Sequence, residues 1–410
     1  MRISIYISFF FYFLCVFSSF AKNGIEMGPW QGRLELEASV YLPFNMTLEK
    51  GEAGIPKIQI QNAAEVINLI FKMKDGDTLC YDFPQFDSQI RFIFNENSSF
   101  KGYWWNKNKK GTYQIPLTGH KCKNDLFECF KTYGSNDAFL AKKWKTTFEP
   151  NTNDNWPAIG LFKKDQEDVA GTFLTETGDY RFLQGNMYGN SLFLSCFDGS
   201  HAFLFTAELI DEKLYGKFYS GKHYSCDWVA EDDEEFELLD PDELTFVVND
   251  NPLTFEFPNL DGTPFIYPNP EFKNKVTIIQ IMGSWCPNCV DETKYYLDLY
   301  KKYHHKGLNI ILIGYEAGAD ATEYKMKLQR FKERNNIPFT MLIGGAANKN
   351  KAAQDFSMLN HIISFPTSIF VNSSGEIIKV HTGFNGPGTG EYYSEFTKET
   401  ELFLQNFLEQ

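Results

Sequence analysis

The sequence predicts an α+β protein of two domains: an N-terminal antiparallel β sandwich or barrel, followed by a C-terminal α/β domain. From residue 22 to about residue 239, short runs of alternating apolar and polar residues are separated by turn residues, as in half-buried antiparallel strands. Beyond about residue 255, buried-strand runs alternate with helical patterns, which predicts a mixed sheet with helices on both faces. The length of 410 residues and the hydrophobic content of 43% are sufficient for two or three packed cores.

Residues 1–21 have the pattern of a secretory signal peptide. A basic start is followed by an apolar run over residues 3–17 and by small residues that end at Ala21. Cleavage after Ala21 predicts an exported, periplasmic protein. The alternative is an uncleaved membrane anchor, because the apolar run is nearly long enough to span a bilayer.

The region from residue 22 to 239 is predicted to be a β-rich domain of about eight strands or more. Alternation is clear at 33–37, 57–61 and 89–94, and Asp198-Gly199 is a hairpin turn between two apolar runs. Residues 63–74 fit a helix or a strand equally well. Residues 240–254 are predicted to be a linker, and the role of the β-rich domain is left open.

Cysteines can form disulfides in an exported protein. Loss of Cys15 with the signal peptide leaves seven of the eight cysteines. Apart from Cys286 and Cys289, their pairing is left open, although Cys122 and Cys129 are close enough in sequence to bridge. The members of this set are Cys80, Cys122, Cys129, Cys196 and Cys226.

A Cys-x-x-Cys motif carries the chemistry. The buried-strand pattern at 275–282 precedes Cys286, and a helical pattern extends from Cys289 to Gly307. Unpaired N–H groups and the helix dipole at that junction favour a thiolate on Cys286. Cys289 lies one turn into the helix, within reach for a disulfide. We therefore predict a dithiol site whose reactive sulfur lies at an exposed helix start.

The remaining elements follow in order. The patterns predict strands at 308–315, 339–343, 363–371 and 375–382, and helices at 319–335, 348–359 and 391–409.

The segment from about residue 251 to the end resembles the thioredoxin superfamily and, within it, the exported TlpA/ResA-like thiol-disulfide oxidoreductases. The matching features are Phe-Glu-Phe-Pro-Asn-Leu-Asp-Gly at 255–262, Trp-Cys-Pro-Asn-Cys at 285–289 and Phe-Pro-Thr at 365–367. The resemblance implies a thioredoxin-like domain over 255–410. The stretch 171–181 looks like N-terminal domains attached to some TlpA-like proteins, for which no chemistry is carried over.

The resemblance also implies site roles. Cys286 attacks a substrate disulfide and Cys289 resolves the mixed disulfide. Pro366 is a cis-proline facing the pair, and Trp285 covers it. These roles imply disulfide-containing proteins as substrates. We predict a reductase, which in an oxidising compartment needs an electron donor at the membrane; an isomerase or an oxidant remains the alternative, because Cys-x-x-Cys proteins of similar sequence span a wide range of potentials.

Proton transfer is the point at which the sequence departs from many thioredoxins. Gln280 stands where they carry a buried acid, six residues before the first cysteine. The possible proton relays are Glu316, at the end of the second strand, and Glu292, which matches a helix acid of the family. The alternative for Glu316 is an exposed loop acid. The alternative for Glu292 is an acid whose negative charge simply interacts favourably with the dipole at the helix start.

Other functions were weighed against this hypothesis. A zinc site needs two ligands beyond the cysteine pair, and the candidates lie far away in the β-rich part. A thiol peroxidase of the same fold would place Thr or Ser at Gly283 and Pro at Ile279. A β domain that binds a partner or ligand on a redox-silent scaffold is a further alternative. The formal charge of −14 argues against nucleic acid, and no cofactor or metal is expected.

Overall fold

Four β-sheets follow one another along the part of the chain that the computed structural model describes. Two nine-stranded sheets come first, then a two-stranded sheet and a five-stranded one. The structure describes residues 25–95, 98–109, 113–122, 143–165, 168–249 and 251–408. The predicted signal peptide and Cys129 lie outside these ranges. Within them, no helix is both long enough and apolar enough to cross a membrane.

The first sheet is antiparallel and curls until its two edges approach each other. Its edge strands, β4 and β5, are consecutive in the chain and are joined through Leu69, whose N–H donates to the Ile58 carbonyl at 2.9 Å. A helix over 63–74 is therefore wrong, and so is one continuous strand. The strands are β1 Gly28–Glu37, β2 Val40–Glu49, β3 Lys57–Asn62, β4 Glu65–Asn68, β5 Ile70–Asp75, β6 Thr78–Asp82, β7 Ser88–Asn95, β8 Ser99–Asn106 and β9 Gln114–Lys121.

The second sheet closes on itself through an added pairing of β11 with β12. Its core is rich in stacked aromatic rings, such as Phe173 and Phe205 at 4.7 Å between centroids. The predicted hairpin at Asp198-Gly199 is confirmed, because β15 and β16 pair across it. The strands are β10 Lys143–Phe148, β11 Trp156–Asp165, β12 Asp168–Thr175, β13 Gly178–Asp179, β14 Leu183–Tyr188, β15 Ser191–Phe197, β16 Ala202–Ile210, β17 Lys213–Ser220 and β18 Tyr224–Asp232.

The β-rich part thus contains two barrel-like sheets, whereas the sequence predicts one sandwich or barrel. Alternation shows which face of a strand is buried, but it does not show which strands share a sheet. Pairing partners are set by contacts between residues far apart in sequence.

The C-terminal part has a five-stranded mixed sheet in the order β23-β22-β21-β24-β25. The first three strands are parallel, and β24 and β25 are antiparallel to their neighbours, which confirms the predicted mixed sheet. The two-stranded sheet is formed by β19 Phe255–Pro258 and β20 Pro264–Tyr267. The strands of the five-stranded sheet are β21 Val276–Met282, β22 Leu308–Glu316, β23 Thr340–Ala346, β24 Thr367–Val371 and β25 Ile377–Thr382.

Five α-helices accompany these sheets within the described residues. The α-helices are α1 Pro241–Leu244, α2 Pro287–Tyr303, α3 Ala321–Arg334, α4 Lys349–Asp355 and α5 Glu391–Leu408. Short 3₁₀ turns lie at Glu52–Gly54, Pro270–Phe272, His304–Lys306 and Pro387–Thr389. Helix α4 is shorter than the predicted 348–359, and β24 begins only after Pro366, whose nitrogen has no hydrogen to donate to a ladder.

Residues 240–254, predicted to be a linker, pack against the C-terminal domain. The Asp242 carboxylate lies 2.7 Å from Lys379 Nζ and 2.7 Å from His381 Nδ1, both on β25. Val247 forms a β-bridge with Leu359. The segment therefore fixes the end of the β-rich part against the α/β domain.

Candidate functional site

Cys286 lies where strand β21 passes into helix α2. It is the N-cap residue of that helix, and its sulfur accepts the Cys289 amide N–H at 3.2 Å. The same sulfur is 3.4 Å from the Phe365 carbonyl oxygen. All seven residues of β21 are buried, so the strand is a rigid support for the turn. The Cys286 sulfur therefore lies at the positive end of the helix dipole.

Cys289 is fully buried one turn into the helix. Burial raises the pKa of its thiol well above the usual range, and the neighbouring Cys286 and Glu292 act in the same direction. Both cysteines are free thiols in the structure. The two sulfurs therefore differ in their surroundings. The Cys286 sulfur lies at the helix start, whereas the raised pKa of Cys289 keeps its thiol protonated.

Trp285 and Pro366 flank the cysteine pair. The Trp285 indole N–H donates to the Tyr315 carbonyl at 3.0 Å, and its ring meets Phe365 edge to face at 6.0 Å. The Phe365–Pro366 peptide is cis. The structure thus brings the predicted Trp285 and Pro366 together with Cys286 and Cys289.

Glu292 is buried beneath the pair, in a network of polar side chains. Its carboxylate accepts hydrogen bonds from Gln280 at 2.6 Å, from Tyr296 at 3.0 Å and from Ser368 at 3.1 Å. The Gln280 amide also lies 3.3 Å from the Cys289 carbonyl oxygen. Burial raises the pKa of Glu292 to about 8, despite these donors. Glu292 is therefore an internal acid rather than an exposed charge at a helix start.

This pKa has a consequence for stability. Because the pKa of Glu292 is about 8 when folded and 4.5 when unfolded, only the folded chain holds the proton between these values. The Glu292 contribution to stability is therefore complete below pH 4.5 and is lost as the pH rises through about 8. We expect wild type to lose on the order of 4 kcal/mol of unfolding free energy across this window relative to Glu292→Gln.

Urea unfolding of both proteins at several pH values between 5 and 8.5 measures this difference. Glu256→Gln, which replaces an exposed glutamate on β19, is the control and should follow wild type. A constant difference between Glu292→Gln and wild type would contradict the assignment.

Glu316 lies at the end of β22, as predicted, but it is buried rather than an exposed loop acid. Its carboxylate accepts the Ser284 amide at 2.7 Å and the Ser284 hydroxyl at 2.8 Å. Burial raises the pKa of Glu316 to about 7. These contacts support the turn in front of Cys286, whereas the Glu292 network extends to Cys289.

The β-rich part covers the cysteine pair, which the sequence does not predict. The Ser200 hydroxyl donates to the Trp285 carbonyl at 3.1 Å, and the Ser364 hydroxyl donates to the Thr177 carbonyl at 3.1 Å. The Asn288 amide, between the two cysteines, lies 3.5 Å from the Asp179 carbonyl. Cys286 is consequently only 7% exposed, and the prediction of an exposed helix start is wrong.

A cavity of about 420 Å³ remains above Cys286. The α/β domain contributes Trp285, Asn288 and Phe365 among others to its lining, and parts of both large sheets line the other side. The β-rich residues that line it are Asn106, Asn108, Lys109, Thr177, Asp179, Tyr180, Ser200, His201 and Phe203. Any substrate that reaches Cys286 in this arrangement contacts the β-rich part as well.

Arg181 joins the three parts of the protein, and the sequence reasoning missed it. Its buried guanidinium lies 2.6 Å from Glu65 of β4 and 3.1 Å from Asp198 after β15, and it also pairs with Asp291 of α2. The only sequence feature that drew attention to Arg181 was its position at the end of the stretch 171–181. An arginine in a turn gives no indication of three carboxylate partners on other elements of the fold.

Metal ligands do not assemble at the site. Within the described ranges, no three or more His, Cys, Asp or Glu side chains are grouped so that they could hold a metal ion. Cys80, Cys196 and Cys226 are buried free thiols in the large sheets.

Comparison with known proteins matches the C-terminal region. A family model described as Redoxin matches residues 248–395. The thiol-disulfide oxidoreductase ResA of Halalkalibacterium halodurans is 32% identical over 113 residues, which cover 28% of this chain and 57% of the relative. The sporulation thiol-disulfide oxidoreductase A of Bacillus subtilis is 25% identical over 148 residues, covering 36% of this chain and 80% of the relative. The match thus spans little more than half of the first relative.

Solved structures are similar to about a third of the chain. StoA from Bacillus subtilis is 20% identical with a TM-score of 0.26, over 36% of this chain and 99% of that one. A thiol-disulfide oxidoreductase from Bacteroides fragilis is 19% identical with a TM-score of 0.26, over 35% and 97%. The Redoxin family model thus matches the C-terminal region, and the curated relatives named above are thiol-disulfide oxidoreductases.

Proposed function

We propose that this chain is an exported thiol-disulfide oxidoreductase that reduces disulfides of protein substrates through Cys286 and Cys289. The observation that carries the proposal is the asymmetry of the two sulfurs. Cys286 receives an N–H from the helix start and faces a cavity, whereas Cys289 is buried with a raised pKa. This asymmetry suits one nucleophilic and one resolving thiol. The similarity of the Redoxin domain to thiol-disulfide oxidoreductases supports the same chemistry.

The reaction proceeds in two exchange steps. The Cys286 thiolate attacks one sulfur of the substrate disulfide, the substrate S–S bond breaks, and the other substrate sulfur leaves as a thiolate that takes up a proton. Cys289 then loses its proton and attacks the Cys286 sulfur of the mixed disulfide. The second substrate thiol is released and a Cys286–Cys289 disulfide forms. Two electrons pass to the substrate, so an external donor must reduce the pair again.

Glu292 is the group that we propose to accept the Cys289 proton. The Gln280 amide donates both to the Glu292 carboxylate and to the Cys289 backbone carbonyl, which holds Glu292 beside Cys289, and the Glu292 pKa of about 8 lets it exchange protons near neutral pH. The charge of Glu292 also raises the pKa of Cys289, which indicates that the two groups are close. Glu316 contacts Ser284 instead, so we assign it a supporting role in the turn.

Export follows from the predicted signal peptide over residues 1–21. An oxidising compartment would return the pair to the disulfide, so a membrane-bound electron donor is the partner that we propose for a reductase. If the signal peptide is not cleaved, the protein would be anchored beside that donor.

A trapping experiment tests the proposed function. Cys289→Ser removes the resolving thiol, so the mixed disulfide between Cys286 and a substrate should accumulate. We expect a reduced protein carrying this change to form a covalent, dithiothreitol-sensitive adduct with a disulfide-containing protein, detected by mass spectrometry at Cys286. The matched control Cys286→Ser should form none. An adduct at another cysteine, or no adduct, would contradict the proposed function.

A further inference from the structure

We infer that His201, which the second large sheet contributes, is a catalytic acid that protonates the thiolate leaving from the substrate. This inference rests on the proposed function. It gives the β-rich part a chemical role in the reaction at Cys286, in addition to shielding the cysteine pair from solvent.

The backbone brings His201 and Cys286 to the same cavity. Ser200 and Trp285 immediately precede them, and the Ser200 hydroxyl donates to the Trp285 carbonyl at 3.1 Å. His201 and Cys286 are therefore each the next residue in the chain after one partner of this hydrogen bond. Both line the cavity of about 420 Å³. A disulfide bound to Cys286 in this space lies against the loop that carries His201.

Asp198 fixes the orientation of the His201 ring. Its Oδ1 accepts the backbone N–H groups of Ser200 at 2.8 Å and His201 at 2.6 Å. Its Oδ2 lies 3.3 Å from His201 Nδ1, and the ring stacks on Phe203 with 4.2 Å between centroids. The Asp198 carboxylate accepts from Nδ1–H, so in the imidazolium form of His201 the Nε2–H is the proton that can be transferred, and Nδ1–H stays hydrogen-bonded to Asp198 afterwards. An Asp–His pair of this kind orients an imidazole for proton transfer.

The charges around His201 come from several elements. Burial opposes ionisation of Asp198, but His201 and Arg181 outweigh it and lower the pKa of Asp198 to about 2, so it stays a carboxylate. Lys109 and Asp179 line the same cavity. Burial raises the pKa of Asp179 to about 6, while the Gly386 and Arg181 amides donate to its carboxylate.

His223 and Glu65 complete the set of nearby ionisable groups. Burial, followed by Lys109 and His201, lowers the pKa of His223. Glu65 pairs with Arg181 at 2.6 Å. Among the residues that line the cavity, His201 supplies the imidazole.

The proton balance of the first exchange step is then complete. The Cys286 thiolate forms a bond to one substrate sulfur, and the other substrate sulfur leaves with the electron pair of the broken S–S bond. His201 Nε2–H gives its proton to that sulfur, and the neutral imidazole recovers a proton from solvent. Protonation matters most when the leaving thiol is a strong base, because low-pKa thiolates leave readily without it.

This dependence on the leaving group provides the test. Single-turnover reduction of bis(2-hydroxyethyl) disulfide, an alkyl disulfide, and of 5,5′-dithiobis(2-nitrobenzoate), an aromatic one, is measured with reduced wild type and His201→Gln. We expect His201→Gln to slow the alkyl disulfide on the order of 100-fold and the aromatic disulfide less than about threefold.

The controls separate this inference from the proposed function. His120→Gln, on β9 and outside the lining of the cavity, should leave both rates unchanged, and Cys286→Ser should lose both. If His201→Gln slows both disulfides equally, His201 acts on the Cys286 thiolate or on the fold, and the assignment is overturned. Unchanged rates for both would overturn it as well. Failure of wild type to reduce either disulfide would instead count against the proposed function.

Discussion

Cys286→Ser is expected to lose disulfide reduction on the order of 10³-fold or more, as when other enzymes lose a catalytic nucleophile. A serine hydroxyl at the N-cap can still accept the Cys289 N–H, so the helix start is preserved. It cannot form the mixed disulfide, because only sulfur exchanges with sulfur. The measurement is reduction of a protein disulfide by the full chain, with dithiothreitol as the electron source.

The matched control is Cys80→Ala, which removes a buried free thiol of the first sheet and should retain activity. Partner binding by Cys286→Ser should persist, because the cavity and its walls are unchanged. Full physiological activity of Cys286→Ser would favour the alternative in which the β-rich part binds a partner and the α/β domain is a redox-silent scaffold.

Arg181→Met is expected to cost roughly 3–5 kcal/mol of unfolding free energy. The guanidinium is only 5% exposed and lies among the carboxylates of Glu65, Asp198 and Asp291. Methionine fills similar space but leaves those carboxylates buried without a cation, which is the costly outcome. Because each carboxylate comes from a different part of the protein, the contacts between these parts should weaken as well.

Urea unfolding followed by tryptophan fluorescence measures this loss. The control is Arg330→Met, which removes an arginine with 38% side-chain exposure from its contact with Asp87 at 2.7 Å. Such partly exposed pairs contribute within about 1 kcal/mol. Equal losses for the two variants would contradict the role of Arg181 as a buried junction.

Local patterns were informative where neighbours in sequence are neighbours in space. The apolar run before Cys286 predicted the buried strand β21, and Asp198-Gly199 predicted the hairpin between β15 and β16. The stretch 63–74 remained ambiguous between helix and strand because it supplies the two opposite edges of one curled sheet.

Electrostatic character was harder to predict. Glu292 could be matched to a family position, but its burial depends on Ser368 of β24, which lies opposite Gln280 in the sheet register. The raised pKa follows from that burial. No spacing rule along the chain brings these three residues together.

The sequence by itself determined the chemistry that we propose for this protein: a Cys-x-x-Cys at a strand-to-helix junction is a local arrangement, complete within a few residues. Only the tertiary structure decided the environment of that chemistry. It placed Ser200, His201 and Thr177 over Cys286 and joined three parts of the protein at Arg181. The physical reason is that burial and charge pairing depend on contacts between segments about a hundred residues apart, which no local pattern encodes.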